Sequence, residues 1–369
     1  MADKTYRILV INPGSTSTKV GVFDGETEVF TKNVAHEASK LAEFAGVSEQ
    51  MPYRRDMILA ALEENGVDLA TIDAFVGRGG GLLALEGGTY AVNDVMLDHA
   101  FRGANGVQHP AQLGSQLAHE FAAAQGKPAF VVNPPDTDEL CDLARMTGIK
   151  GVYRNVHLHA LNLKETAIRH ANGMGKRYDE CNFIVCHIGG GISISAHQQG
   201  KMIDGYDIVG GEGMMAPTRC GAVPVAEVLN YLEAGHSIKE VRGMCMKTGG
   251  FVDLLGTSDA IEVCDRAAAG DAAAARAWDA MVYQINKYIG SMATVLGGKV
   301  DGILLGGGMV HNKDLVKSIE DNCGWIAPVS AYPGEFELEA MAAGAIRVLT
   351  GEEEPKTYTG VPVFTGFDD

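Results

Sequence analysis

INPGSTSTKVGVFDG, residues 11–25, decides the fold, because HIGGGISISAHQQGK, residues 187–201, repeats its plan far down the chain. In each copy an apolar run (Arg7 to Ile11, then Asn182 to Ile188) meets small residues and continues as an alternating stretch. Each copy therefore predicts strand, tight loop, strand. Ser, Thr and Gly at the bend leave backbone N–H groups open, and such amides form an anion-binding concavity without a helix dipole. Lys19 adds a mobile cation to the first copy. Two such loops suit the two ends of a polyphosphate. A third element, GILLGGGMVHN (302–312), runs from a buried-type strand through Gly306, Gly307 and Gly308 into a helix near His311, which suits a nucleotide face. A Gly-rich turn alone is more often just a turn. Three of them at strand ends, two matching, carry more.

The chain has 369 residues, long enough for about two domains. Gly is abundant (47) and Pro modest (12), which fits many tight strand ends rather than linker. With no Pro- or Ser-rich tether, the boundary follows from the repeat: a first domain over residues 1–150 and a second over 151–334, joined by a hinge. A net charge of −17 argues against nucleic acid or anionic membrane as a general partner. Lys19, Arg78 and Arg219 are then local exceptions, each beside Gly, Ser or Thr. Seven Cys without a CxxC pair predict reduced thiols and a cytoplasmic protein. No signal core follows Met1, and no apolar stretch approaches the roughly 20 residues of a membrane span.

The remaining pattern alternates strands and helices, which predicts α/β architecture. Helices are expected at 52–65, 112–125, 157–170, 225–234, 258–269, 271–296, 312–322 and 335–349, with strands at 8–34, 72–76, 129–132, 183–203 and 302–305. Tyr332-Pro333-Gly334 is expected to turn. There is no GxxxxGK[ST], no GxGxxG after a strand and no GxSxG, which excludes P-loop kinases and leaves an α/β-hydrolase without a nucleophile.

INPGSTSTK, the tetrad His159-Ala160-Leu161-Asn162, HIGGGIS, the segment Asp204 to Gly221 ending in PTRCG, and AYPGEFELEAMAAGAIRVL together resemble the acetokinase family. The resemblance runs from the first strand to about residue 350 and is nearest to the family's butyrate-using members. It implies the fold of sugar kinases, actin and the Hsp70 ATPase, in which two related domains flank a nucleotide cleft and a C-terminal helix, about 335–350, packs back on the first domain. It also implies reversible transfer of the γ-phosphoryl of ATP to a short carboxylic acid, giving ADP and an acyl phosphate, in a homodimer or larger homo-oligomer.

On that resemblance Arg78 grips the substrate carboxylate, for which a planar fork is suited. His159 and Arg219 flank the transferring phosphoryl group, where donors stabilise its equatorial oxygens. Asn12 and Glu335 lie near Mg²⁺, an ion that takes oxygen ligands. Glu335 has a plainer reading as a helix N-terminal acid. Lys19, His187, Gly189, Gly190, Gly191, Asp259, Gly306, Gly307, Gly308 and Asn312 fall where the family binds phosphates and adenosine. His109 in HPAQL lies near the same cleft, and His157, in an HxH pair without a third ligand, is read as a capping or packing residue. No general base is required, because a carboxylate is already the nucleophile.

One departure concerns Asn133. Related chains carry an Asp after this strand, whereas here Asn133 is followed by Pro134, Pro135, Asp136, Thr137 and Asp138. Catalysis is then either weakened or carried by Asp136 or Asp138. A second concerns Gly79, Gly80 and Gly81, where acetate kinases have bulky residues. They either deepen the acid pocket, favouring butyrate over acetate at about 0.8 kcal/mol per methylene, or serve a backbone bend. Acetate, propionate and branched acids stay as alternatives, as does a nucleotide-dependent module that transfers no phosphate. Such a module has no use for a carboxylate clamp.

Overall fold

Ile8, Leu9, Val10 and Ile11 of β1 (Arg7–Pro13) are all fully buried, so this strand is covered on both faces. It pairs antiparallel with β2 (Ser17–Asp24), which pairs antiparallel with β3 (Thr27–Ala35). On its other side β1 runs parallel to β4 (Ala74–Gly77), and β4 parallel to β6 (Ala129–Val132). β5 (Thr89–Ala91) and the short β12 (Lys356–Thr357) complete a seven-stranded sheet, β12-β5-β6-β4-β1-β2-β3. The computed structural model describes residues 4–367.

The second hairpin heads an equivalent sheet. β7 (Asn182–Ile188) pairs antiparallel with β8 (Ile192–Gln198), and β8 with β9 (Lys201–Gly205). β10 (Gly302–Gly307) lies parallel to β7, and β11 (Val329–Pro333) parallel to β10, giving β11-β10-β7-β8-β9. This is the order β6-β4-β1-β2-β3 written again.

Residues up to Asp138, with those from Phe336 onward, form one compact unit, and Glu139–Glu335 form the other. The division falls earlier than the expected residue 150, where no composition shift marks it. In the first unit the helix Leu113–Gln125 lays Leu113, Leu117 and Phe121 against Leu9 and Ile11, each such side chain worth about 2 kcal/mol of burial. The helix Glu337–Thr350 packs on β1, β4 and β6, and Gly344 admits Val132 so closely that an added Cβ would lie 2.5 Å from its Cγ1. In the second unit Met281, Ile285, Ile289 and Met292 of the helix Ala272–Val295 cover one face, and Leu163, Ala167 and Ala171 of the helix Ala160–Gly173 meet Phe183 and Val185 on the other.

Three local expectations need correction. Val329–Pro333 is a strand rather than part of a turn; Pro333 is tolerated because β11 is an edge with a single partner. The helix expected from residue 157 begins only at Ala160, because His159 (φ −74°, ψ 54°) is not helical. An unexpected helix, Asp94–Arg102, is capped by Asn93, whose side chain accepts from Met96 N–H.

Candidate functional site

In the first unit the loop after β1 opens on a cavity of about 320 Å³ whose lining includes Asn12, Lys19, Arg78, His109 and Glu337. Arg78 is set by the backbone beneath it. A Cβ at Gly77 would come within 2.0 Å of Gly114 O, and one at Gly114 within 2.1 Å of Arg78 O, so strand end and helix start touch main chain to main chain. The Arg78 N–H donates to Ile11 O (2.9 Å) and its Nη1 to Asn133 O (3.2 Å). The side chain is buried; burial pulls its proton affinity down, against the opposing fields of Glu337 and Asp136. Arg78 thus brings a desolvated fork to the cavity wall.

Asn12 Nδ2 donates to Glu337 Oε2 (2.7 Å). Asn12 therefore pairs with Glu337, while Glu335 belongs to the second unit, where its carboxylate lies 3.9 Å from His187 Nε2. Glu337 is a residue the sequence reading passed over in the same GEFE stretch. His109 accepts the Ala111 N–H at Nδ1 (3.2 Å), and burial, Arg78 and Arg54 hold its pKa below the usual imidazole value. Its ring caps the HPAQL turn.

Asn133 takes a left-handed conformation (φ 38°), and its Oδ1 accepts Gly88 N–H at 2.7 Å. An Asp oxygen would serve there equally, since both residues tolerate that region. Asp136 is buried, accepts from Asn105 Nδ2 (2.5 Å) and sends its field onto Arg78. The negative charge missing at Asn133 is present three positions on, at Asp136. The glycines after Arg78 do not deepen the cavity. A Cβ at Gly79 would meet Val131 Cγ1 at 2.5 Å, one at Gly80 would meet Gln112 N at 3.2 Å, and Gly81 has φ +70°. They serve close packing and a bend.

In the second unit His187, the penultimate residue of β7, lies opposite Gly306 of β10, and its ring stacks on His159 with centroids 4.1 Å apart. His159 is fixed by Ser193. The hydroxyl receives the His159 N–H (3.2 Å) and lies 2.8 Å from Nδ1. A hydroxyl that gives its proton to Nδ1 leaves Nε2 as an N–H donor.

Gly191 has one clear reason to lack a side chain: a Cβ would lie 1.5 Å from Arg219 Nη1. The PTRCG turn is clamped to this loop through Thr218, whose N–H and hydroxyl both donate to Gly190 O (3.2 and 2.8 Å). Arg219 Nη1 is buried with no hydrogen-bond partner among the described residues, and burial lowers its proton affinity. Gly189 sits beside His187, whereas Cβ atoms at Gly190 and Gly308 would meet open space. Gly307 (φ +97°) approaches Ile188 so closely that a Cβ would reach its carbonyl at 2.4 Å, which joins the two Gly-rich loops.

Asp259 and Asn312 both cap helices: Asp259 Oδ1 accepts Ile261 N–H (2.8 Å), and Asn312 Oδ1 accepts Leu315 N–H (2.9 Å). Asn312 Nδ2 also reaches Cys264 Sγ (3.6 Å), on the helix that Asp259 caps. The structure thus assembles Asn12, Lys19, Arg78 and Glu337 in one unit, and His159, the Gly-rich loops, Arg219 and Glu335 in the other.

The fold is that of the acetate and propionate kinases. Acetate kinase from Porphyromonas gingivalis superposes with a TM-score of 0.74 at 20% identity, covering 93% of this chain and all of that one. A propionate kinase from Francisella tularensis subsp. tularensis SCHU S4 gives 0.70 at 19% identity, over 92% of this chain and 98% of its own. In sequence the chain is 44% identical over 355 residues, 96% of its length, to a full-length probable butyrate kinase of Clostridium botulinum (strain Eklund 17B / Type B). The model of the acetokinase family matches residues 145–323. The chain belongs to the acetokinase family, and it is a phosphotransferase whose acceptor is a carboxyl group.

Proposed function

We propose that the chain transfers the γ-phosphoryl of ATP to butyrate, giving butyryl phosphate and ADP, with other short acids as poorer substrates. The single observation that carries the carboxylate half is the buried Arg78 fork at a cavity that also holds Lys19. Arg78 binds and orients the carboxylate. One carboxylate oxygen forms a bond to the γ-phosphorus as the bond to the bridging oxygen of ADP breaks, so no protein base is needed. Arg219 and the Nε2–H of His159 supply donors to the equatorial oxygens, each worth about 3 kcal/mol of barrier by analogy with other oxyanion donors. Gly190 and Gly308, facing open space, leave the backbone accessible to phosphate oxygens. Asp259 and Asn312, as caps, would hold the adenosine side in place.

Asn12 and Glu337 fit Mg²⁺, because the amide nitrogen is engaged and only oxygens remain to be offered. Glu335 offers a further carboxylate beside His187. When bound, the ion would neutralise phosphate charge. Reduced, unpaired cysteines support a cytoplasmic site of action. Exposed Val225, Leu229 and Ile238 support a homo-oligomer.

Because Gly79 to Gly81 are taken up by packing, the preference for butyrate rests on the named relatives rather than on pocket depth. Hydroxylamine trapping of acyl phosphate, with ATP and Mg²⁺, across acetate, propionate, butyrate, isobutyrate and valerate tests it. A kcat/KM maximum at butyrate is expected. A maximum at two or three carbons overturns the choice of acid, and ATP binding without any acyl phosphate overturns the reaction.

A further inference from the structure

Arg54, on the helix Met51–Glu64, is fully buried. Its guanidinium donates to Gly14 O (2.9 Å), Thr18 Oγ1 (3.1 Å) and Ser15 O (3.4 Å), while Nε and Nη2 both reach Gln50 Oε1 (3.0 and 2.9 Å). Every acceptor is neutral. Among the described residues only the Tyr53 hydroxyl favours its charged form; no carboxylate does so, and burial pulls its pKa down to about 10. A buried charge without a counter-charge destabilises a fold. Its hydrogen bonds brace the loop, but among the described residues none of them brings a counter-charge, so the charge itself needs another reason.

The surroundings supply one. Gly14 and Ser17, whose carbonyls Arg54 takes from behind, line the Arg78 cavity. The N–H groups of Ser15 and Thr16 make no hydrogen bond to the described chain. The field of Arg54 also reaches His109 on the cavity wall. Lys19 and Arg78 can contact a ligand in that cavity, but Arg54 cannot, since the loop lies between.

We propose that Arg54 is a positioning residue for the phosphoryl group: it fixes the Gly14–Thr18 loop by its carbonyls and sets behind it a positive charge whose counter-ion is the phosphoryl group of the bound substrate. This rests on the kinase reading above. The missing anion of the fold is then the ligand itself, a doubly charged group that an arginine one layer back attracts without contact.

The test runs the reaction toward ATP, with butyryl phosphate and ADP varied separately, in Arg54→Met, Arg54→Lys and the natural protein. Arg54→Met is expected to raise the KM for butyryl phosphate at least tenfold while the KM for ADP stays within twofold. Arg54→Lys, which keeps the charge, is expected to recover most of that loss. A merely structural role would lower the active fraction, hence kcat, and leave both KM values alone; that result overturns the proposal, as does Arg54→Lys behaving like Arg54→Met. If Arg54→Met does not fold, Arg54→Gln, which removes the charge but keeps a polar donor, decides: a KM for butyryl phosphate raised at least tenfold with ADP unaffected supports the charge role, and unchanged KM values overturn it. Natural protein that makes no acyl phosphate would instead remove the kinase reading.

Discussion

The two hairpins have the same topology but secure their loops differently. The first, Gly14 to Ser17, keeps its side chains and is braced from inside by Arg54, a cation that never reaches the surface. The second, Gly189 to Gly191, gives up its side chains, and Arg219 lies over the bare backbone. In the first loop the arginine grips carbonyls from behind; in the second it occupies the space a Cβ would fill. A duplicated strand–loop–strand scaffold thus fixes where an anion is met, and the residues outside the hairpin fix how. Helix Met51–Glu64 supplies the brace to one copy, and the PTRCG turn supplies the cation to the other.

The largest expected effect breaks the second loop alone. Gly191→Ala places a methyl 1.5 Å from the original position of Arg219 Nη1, so the guanidinium must leave. Losing one donor of about 3 kcal/mol predicts a kcat lower by two orders of magnitude or more. Gly190→Ala, at a site with open space, is expected to leave circular dichroism and melting temperature unchanged. Steady-state kinetics and thermal melts on both variants check this; a fully active Gly191→Ala would show that Arg219 can work from elsewhere.

A middle-sized effect probes the first loop. His36 lies 2.8 Å from Thr18 Oγ1, and burial, helped by the charge of Arg54, lowers its pKa from 6.5 to about 4. The native ring stays neutral where the unfolded ring takes a proton, so the unfolded state binds more protons between these values. Stability is therefore fully present above pH 6.5 and falls as pH drops toward 4, by about 3 kcal/mol from this group. Urea melts at pH 7, 5.5 and 4.5 should show that slope, and His36→Gln should flatten it. An unchanged slope would mean that other histidines, such as His197 with its strongly lowered pKa, dominate.

The smallest effect concerns Asn133. Because its side chain is spent on Gly88 N–H and Asp136 already sends a charge to Arg78, Asn133→Asp is expected to change kcat less than threefold and the melting temperature by no more than a few degrees. A large gain in turnover would revive the idea of a tuned-down site. Asp136→Asn in the same assays sharpens the contrast, since it removes the charge that the structure does place near the arginine.

What the sequence determined by itself was periodic or punctuated. Buried runs at 7–11, 182–188 and 302–305, ended by Gly and Ser, specify strands with exposed loops, and Arg78 and Arg219 stand out as cations beside small residues. Caps such as Asp259 and Asn312 are local too, although their capping duty shows only in the hydrogen bonds. Only tertiary structure decided the rest. Glu337, rather than Glu335, pairs with Asn12 across 325 positions, because the last helix returns to β1. Gly79 and Gly80 proved to be packing residues, because Val131 and Gln112 arrive from other elements. Arg54 reads in sequence as one more charge on the helix expected at 52–65. Its burial depends on which face of that helix meets the loop, and no local period encodes that choice, since it is set by long-range packing rather than by neighbours in the chain.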